Sequence, residues 1–144
     1  MKKTNVFLDS SVLLAGLVST TGASAEILRL AEIGVVELMV CDLVIDEVKR
    51  NLTKKLPEFL PYFYTALEVL KPRITQNQET VDTVLTRLIP KKSDQIIIQT
   101  ALISKPDYFI TLDKKHLLKP VVRTAVAMPV ITPSEFLGII RFKN

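Results

Sequence analysis

Apolar residues recur along the chain with two alternating periods. Val6-Phe7-Leu8 is a β-favouring run that stops abruptly at Asp9-Ser10-Ser11, the pattern of a buried parallel strand whose carboxyl end opens into a helix. That helix is expected to run to Leu17, capped by Ser10 or Ser11. A loop over 22–24 follows, with Ser24 capping a helix over 25–33 that stops at Gly34. Residues 35–41 read as a second strand. Asp42 is the expected cap of a helix reaching Leu56, in which Leu43, Val44, Val48, Leu52 and Leu56 form the apolar stripe. Helical spacing continues over 58–70 and ends at Lys71-Pro72. Residues 73–75 fit a short edge strand, and 79–88 a further helix. Pro90-Lys91-Lys92 is a loop, and Ser93 is the expected cap of a helix that begins at Asp94 and closes at Lys105-Pro106. Residues 108–112 form a second apolar run ending in an aspartate, Asp113. After a loop holding Pro120 and Pro129, Val130-Ile131 is the last strand, and Thr132-Pro133-Ser134-Glu135 is a capping box opening a helix to Ile140.

This alternation of strands with long helical connections predicts an α/β fold, a three-layer α/β/α sandwich around a mainly parallel sheet. The 144 residues suit one domain, 1–144, and 48% hydrophobic with 24% charged residues excludes disorder. A mean hydropathy of +0.30 agrees with a sheet covered on both faces. Glu37, Asp42 and Asp46 interrupt the longest apolar stretch short of a membrane span. The basic start Met1-Lys2-Lys3 runs straight into the first strand, unlike a signal peptide, so a cytoplasmic protein without membrane attachment is expected. The single cysteine, Cys41, reads as a buried packing residue. A net charge of +4 is compatible with a polyanionic partner without requiring one.

Two strands that deliver Asp9 and Asp113 to one sheet edge build an acidic pocket. Glu47, one turn into the helix after the second strand, and Asp94, at a helix start, lie where both can converge on it. Four clustered carboxylates repel one another and need protons or a cation, and hard oxygen donors favour Mg²⁺ or Mn²⁺. No Cys or His cluster offers a zinc site, and His116, the only histidine, reads as a surface residue. With no Walker loop, no Ser/His nucleophile pair and no dinucleotide fingerprint, the pocket suits metal-assisted phosphodiester hydrolysis. Lys49 and Arg50 follow Glu47, Lys92 precedes Asp94, and Lys114 and Lys115 follow Asp113, so basic groups flank the acids and could track an RNA backbone. Asp42, Asp46, Asp82 and Asp107 read as caps or surface charges.

The blocks V-F-L-D-S-S-V-L-L-A, D-L-V-I-D-E-V, S-D-Q-I-I-I-Q-T-A, D-Y-F-I-T-L-D-K-K-H-L and P-V-I-T-P-S-E-F-L stand in an order and spacing that resemble a PIN-domain protein over essentially the whole length. The resemblance implies a single PIN-like domain with ribonuclease activity, and it sets Asp9, Glu47, Asp94 and Asp113 on the positions of the family's metal-binding acids. It further implies that Ser11 and Thr111 brace those carboxylates. Chains of this size resemble the toxins of type II toxin-antitoxin pairs, which implies a small antitoxin protein as partner; a homodimer is expected. Lys114, Lys115 and His116 stand where some members carry one more acid.

Two other readings compete. A PIN fold kept as a non-catalytic RNA-binding or regulatory module would retain the architecture without turnover. A phosphoacceptor receiver domain also gathers aspartates around Mg²⁺, but it needs paired acids near the first strand and a lysine ending the last, where this chain has Ser10-Ser11 and Thr132-Pro133.

Overall fold

Val6, Phe7 and Leu8 are consecutive and all fully buried, which a strand achieves only with neighbours on both edges and helices on both faces. The computed structural model, which describes residues 2–143, supplies both. The elements are β1 (Thr4–Leu8), α1 (Ser10–Val18), α2 (Ala23–Glu32), β2 (Val36–Cys41) and α3 (Asp42–Lys55), then a 3-10 turn (Pro57–Phe59), α4 (Leu60–Leu70) and β3 (Arg73–Thr75). They continue with α5 (Thr83–Leu88), α6 (Lys92–Ser104), β4 (Tyr108–Ile110), α7 (Pro120–Ala125), β5 (Val130–Ile131) and α8 (Pro133–Lys143). The strands form one sheet in the order β3-β2-β1-β4-β5. Every pairing is parallel, so the sheet expected to be mainly parallel is wholly so.

This order places a reversal at the centre. The chain winds outward from β1 through β2 to β3, then returns to the other edge of β1 with β4 and continues to β5. In open parallel sheets the crevice at the strands' carboxyl ends, where winding reverses, is where ligands bind. Here it lies between β1 and β4. The two strands are locked in register by Phe7 opposite Phe109, whose stacked rings have centroids 5.7 Å apart. Their ladder runs past the strand ends through Asp9 N–H to Ile110 C=O, and Thr111 N–H donates to Ile131 C=O on the far side, both at 3.0 Å.

Helix boundaries follow local chemistry, with several corrections to the expected caps. Asp9 itself caps α1, its carboxylate accepting from Ser10 N–H, so neither serine is the cap. α2 begins two residues early, with Gly22 at φ 99° as N-cap and Ser24 buried inside its first turn. It ends as expected at Gly34, where Gly34 N–H donates to Ala31 C=O and Val35 N–H to Leu30 C=O, a Schellman pair that needs the glycine's φ of 84°. Asp42 is the first residue of α3 rather than its cap; instead Leu43 N–H donates to the Asn77 side chain, 34 residues away. α5 is shorter than expected because Asp82 caps it by accepting from Val84 N–H. α6 starts two residues before Asp94, capped by Lys91 rather than Ser93. α7 forms where a loop was expected, with only Val122 buried to mark it. The capping box closes at α8, Thr132 N–H to Glu135 Oε1 at 2.9 Å and Glu135 N–H to Thr132 Oγ1 at 3.0 Å.

Phe7, Phe63, Phe109 and Phe136 are fully buried in one continuous core with the strands. Cys41 is buried there as a free thiol whose pKa burial pushes up. α1 approaches α2 at Gly16, where an added Cβ would stand 2.7 Å from Leu28 Cδ1 and 3.0 Å from the Ser24 carbonyl oxygen. Gly16→Ala is therefore expected to destabilise the protein by about 1–3 kcal/mol through overpacking, despite alanine's better helix propensity. Denaturant titration checks this; a more stable variant would show that the α1–α2 contact yields freely. Among the described residues no single helix is long and apolar enough to cross a membrane.

Candidate active site

The abrupt end of β1 sets the site. Asp9 leaves the strand in extended conformation and caps α1, so its carboxylate is held at the carboxyl edge beside the β1–β4 reversal. It is buried and fully engaged: Oδ1 accepts from Ser10 N–H at 2.9 Å, and Oδ2 from Ser11 Oγ at 3.1 Å and from Thr111 Oγ1 at 2.7 Å. Burial pushes the Asp9 carboxyl above its ordinary value, those three hydrogen bonds oppose the rise, and the Glu47 charge adds to it. Thr111 is wholly buried and bridges two acids, because its Oγ1 also accepts from Asp113 N–H at 3.1 Å. Ser11 makes a second link, its Oγ accepting from Leu112 N–H at 3.2 Å.

Glu47 projects from the second turn of α3, and its Oε1 accepts from Ser10 Oγ at 2.9 Å. Asp94 lies buried in the first turn of α6. Its pKa is pushed up to about 6, first by burial and then by the charges of Asp9, Asp113 and Glu47, while Lys91 pulls it down. Asp94 thus shares one electrostatic field with the other three acids. Asp113 closes the loop after β4, its Oδ1 accepting from His116 N–H at 3.0 Å. The structure therefore gathers Asp9, Glu47, Asp94 and Asp113 about the reversal, with Ser11 and Thr111 on Asp9.

Among the described residues no three His, Cys, Asp or Glu side chains close into a preformed metal cage. The donor chemistry nonetheless fits a hard divalent cation. All four groups are carboxylates, two are buried with raised pKa values, and the Asp94 carboxylate accepts no hydrogen bond among the described residues. Positive charge would relieve the repulsion that lifts Asp94.

Two features escape the sequence. Ser10, adjacent to the serine singled out, is the residue that links α1 to Glu47; only the fold brings the two together. His116, expected at the surface, is half-buried with its Nδ1 buried and unpartnered. The basic residues divide. Lys49 Nζ sits 5.9 Å from the Tyr64 ring centroid, Lys92 is exposed at the start of α6, and Lys114 and Lys115 are exposed in the turn after Asp113. Arg50 alone of the five lines a groove that also contains Glu47, joined there by Asn51, Lys54, Lys91 and Ser93.

Comparison with known proteins accords with this geometry. The sequence matches the family model described as PIN domain over residues 5–115. No curated protein matches the chain. Among solved structures, FitAB bound to an IR36 DNA fragment superposes with a TM-score of 0.63 at 14% identity, covering 89% of this chain and 94% of that one. VapBC2 from Rickettsia felis, bound to a DNA fragment from their promoter, gives a TM-score of 0.58 at 10% identity, covering 90% of this chain and 98% of the other. With the family model spanning β1 through Asp113 and the wholly parallel sheet delivering its acids to one edge, the chain belongs to the PIN domain family.

Proposed function

We propose that this protein is a metal-dependent endoribonuclease that hydrolyses RNA phosphodiester bonds, and that it serves as the toxin of a toxin-antitoxin pair. The observation that carries the catalytic part is the gathering of four carboxylates at the β1–β4 reversal, with the Asp94 pKa raised to about 6 by burial first and by the charges of the other three acids besides. PIN domains are generally nucleases, which supports hydrolysis as the reaction and sets aside the receiver domain.

Asp9, Glu47, Asp94 and Asp113 would hold Mg²⁺ or Mn²⁺. When bound, such an ion supplies Lewis acidity toward the scissile phosphate and neutralises charge developing there. The chain's own part is orientation. Ser11 and Thr111 fix the Asp9 carboxylate from two sides, and Ser10 fixes Glu47, so these acids present oxygens without reorganising during reaction. Thr111 also positions the backbone at Asp113, which couples the two strand-end acids.

The likeness to the FitAB and VapBC2 complexes supports a small antitoxin protein as partner. A groove of about 710 Å³ between α1, α2 and α4, lined in part by Leu17, Leu28, Phe59, Tyr62, Ala66 and Val69, offers that partner apolar surface to cover. The protein is further proposed to act as a homodimer in the cytoplasm.

Incubation of the purified protein with a mixed RNA pool in Mg²⁺, in Mn²⁺ and in EDTA tests the catalytic reading. Cleavage in either metal and none in EDTA is expected. No cleavage across a broad RNA set would leave a non-catalytic binding module as the function.

A further inference from the structure

We propose that the groove between α3 and α6 seats the backbone of a single RNA strand leading into the acid cluster, with Arg50, Lys54 and Lys91 paired to its phosphates. The proposal rests on the nuclease reading only in taking RNA as the molecule that meets the acids. The groove, of about 350 Å³, is lined by Glu47, Arg50, Asn51, Lys54, Lys91 and Ser93. Glu47 belongs to the acid cluster through Ser10, so the groove and the cluster share that residue.

Three observations distinguish it from an ordinary solvated face. First, cations from two separate helices converge on it: Arg50 and Lys54 are four residues apart in the C-terminal half of α3, and Lys91 caps α6. Like charges at that helical spacing repel, at a cost of about 0.2–0.5 kcal/mol. Secondly, the ion pairs among the described residues join Arg29 to Glu26, Arg73 to Glu37 and Arg123 to Glu135, and none engages these three cations. Thirdly, Ser93 Oγ, on the same lining, is buried and lacks a hydrogen-bond partner. A phosphate in the groove would answer all three, accepting from the hydroxyl and separating the cations.

The occupant follows from the lining. None of the six residues is aromatic, so the groove offers bases no stacking platform and reads phosphates, which gives sequence-tolerant, salt-dependent binding. Duplex RNA is read across about 16 base pairs over successive grooves, a span that one pocket of about 350 Å³ does not match. One strand fits.

The test is the double variant Arg50→Gln/Lys54→Gln, which keeps the first two methylenes of each stem and the helix propensity, beside Lys3→Gln, which removes a charge near Gly34 at the amino end of the sheet. Binding of a labelled 12-nucleotide single-stranded RNA is followed from low to high salt in EDTA, where no cleavage interferes, together with thermal melting. At about 0.7 of log–log slope per phosphate contact, the double variant is expected to lose about 1.4 in slope and to bind about 10- to 30-fold more weakly at 0.1 M salt. Its melting temperature stays at the wild-type value, which separates lost phosphate contacts from lost folding. Lys91→Gln should also weaken strand binding; its kcat is not diagnostic because Lys91 acts on Asp94.

Unchanged affinity and salt slope in the double variant, an equal loss in Lys3→Gln, or a loss of kcat without a loss of binding would each overturn the proposal. A wild type that binds the strand through these residues but cleaves nothing would uphold the groove and sink the nuclease reading. Cleavage by wild type, with strand binding and salt slope indifferent to the double variant, would do the reverse.

Discussion

Asp9→Asn is expected to lower the rate of RNA cleavage by at least about 10²- to 10³-fold while leaving the protein folded. The two halves of that expectation have separate causes. Asn caps a helix about as well as Asp, so the bond from Ser10 N–H that starts α1 survives. Removing a buried charge whose pKa is already raised costs the native state little. Function loses more, because a neutral amide ligates a hard divalent cation weakly and no longer draws the hydroxyls of Ser11 and Thr111 as an anion does. The comparison is wild type against variant on the same RNA, in Mg²⁺, Mn²⁺ and EDTA, with circular dichroism to verify the fold. Equal cleavage by both preparations would remove Asp9 from the chemistry and point to a contaminating nuclease.

The second large effect is on stability. An unfolded chain releases the Asp94 proton near the ordinary value of 3.8, whereas the native state holds it to about 6. Between those values the native state binds the extra proton, so stability falls as pH rises through the window and then levels off. The shift of about two units sets an upper limit of about 3 kcal/mol. Asp94→Asn removes this dependence. In metal-free buffer the variant should melt above wild type by several degrees at pH 7–8, and the two should converge below about pH 4. Adding Mg²⁺ or Mn²⁺ should raise the wild-type melting temperature by mass action and raise the variant's less. Parallel pH profiles, or an undiminished metal response in Asp94→Asn, would take Asp94 out of the cluster.

Much of this arrangement was legible in the sequence because its signals are local. Val6-Phe7-Leu8 ending in Asp9, and Phe109-Ile110 followed by Asp113, mark strands and their tips by composition alone. The Thr132–Glu135 capping box spans four residues and forms as written. What the sequence hid depends on distant partners. Asp42 has the composition of a cap, yet Asn77 performs that role from across the fold. Ser10 looks like a cap until Asp9 takes the position and Ser10 turns to Glu47. α7 has one buried residue in six, too little for helical periodicity to register. The basic residues show the same limit, because the sequence groups them by adjacency to the acids, whereas the groove selects Arg50, Lys54 and Lys91 by the packing of α3 beside α6.

The bond from Thr111 to Asp9 joins residues 102 positions apart, and that separation orders events in time. During synthesis β1 can first pair with β2, about 32 residues downstream, but the other edge of β1 stays open until β4 has been made. A long loop must close before that contact repays its entropy. A ribosome-bound or truncated chain that stops short of residue 111 therefore carries Asp9 and Glu47 without the hydroxyl that orients one and without Asp113 beyond it. On the proposed activity, a growing chain is harmless to the RNA that encodes it until Thr111 and Asp113 have emerged.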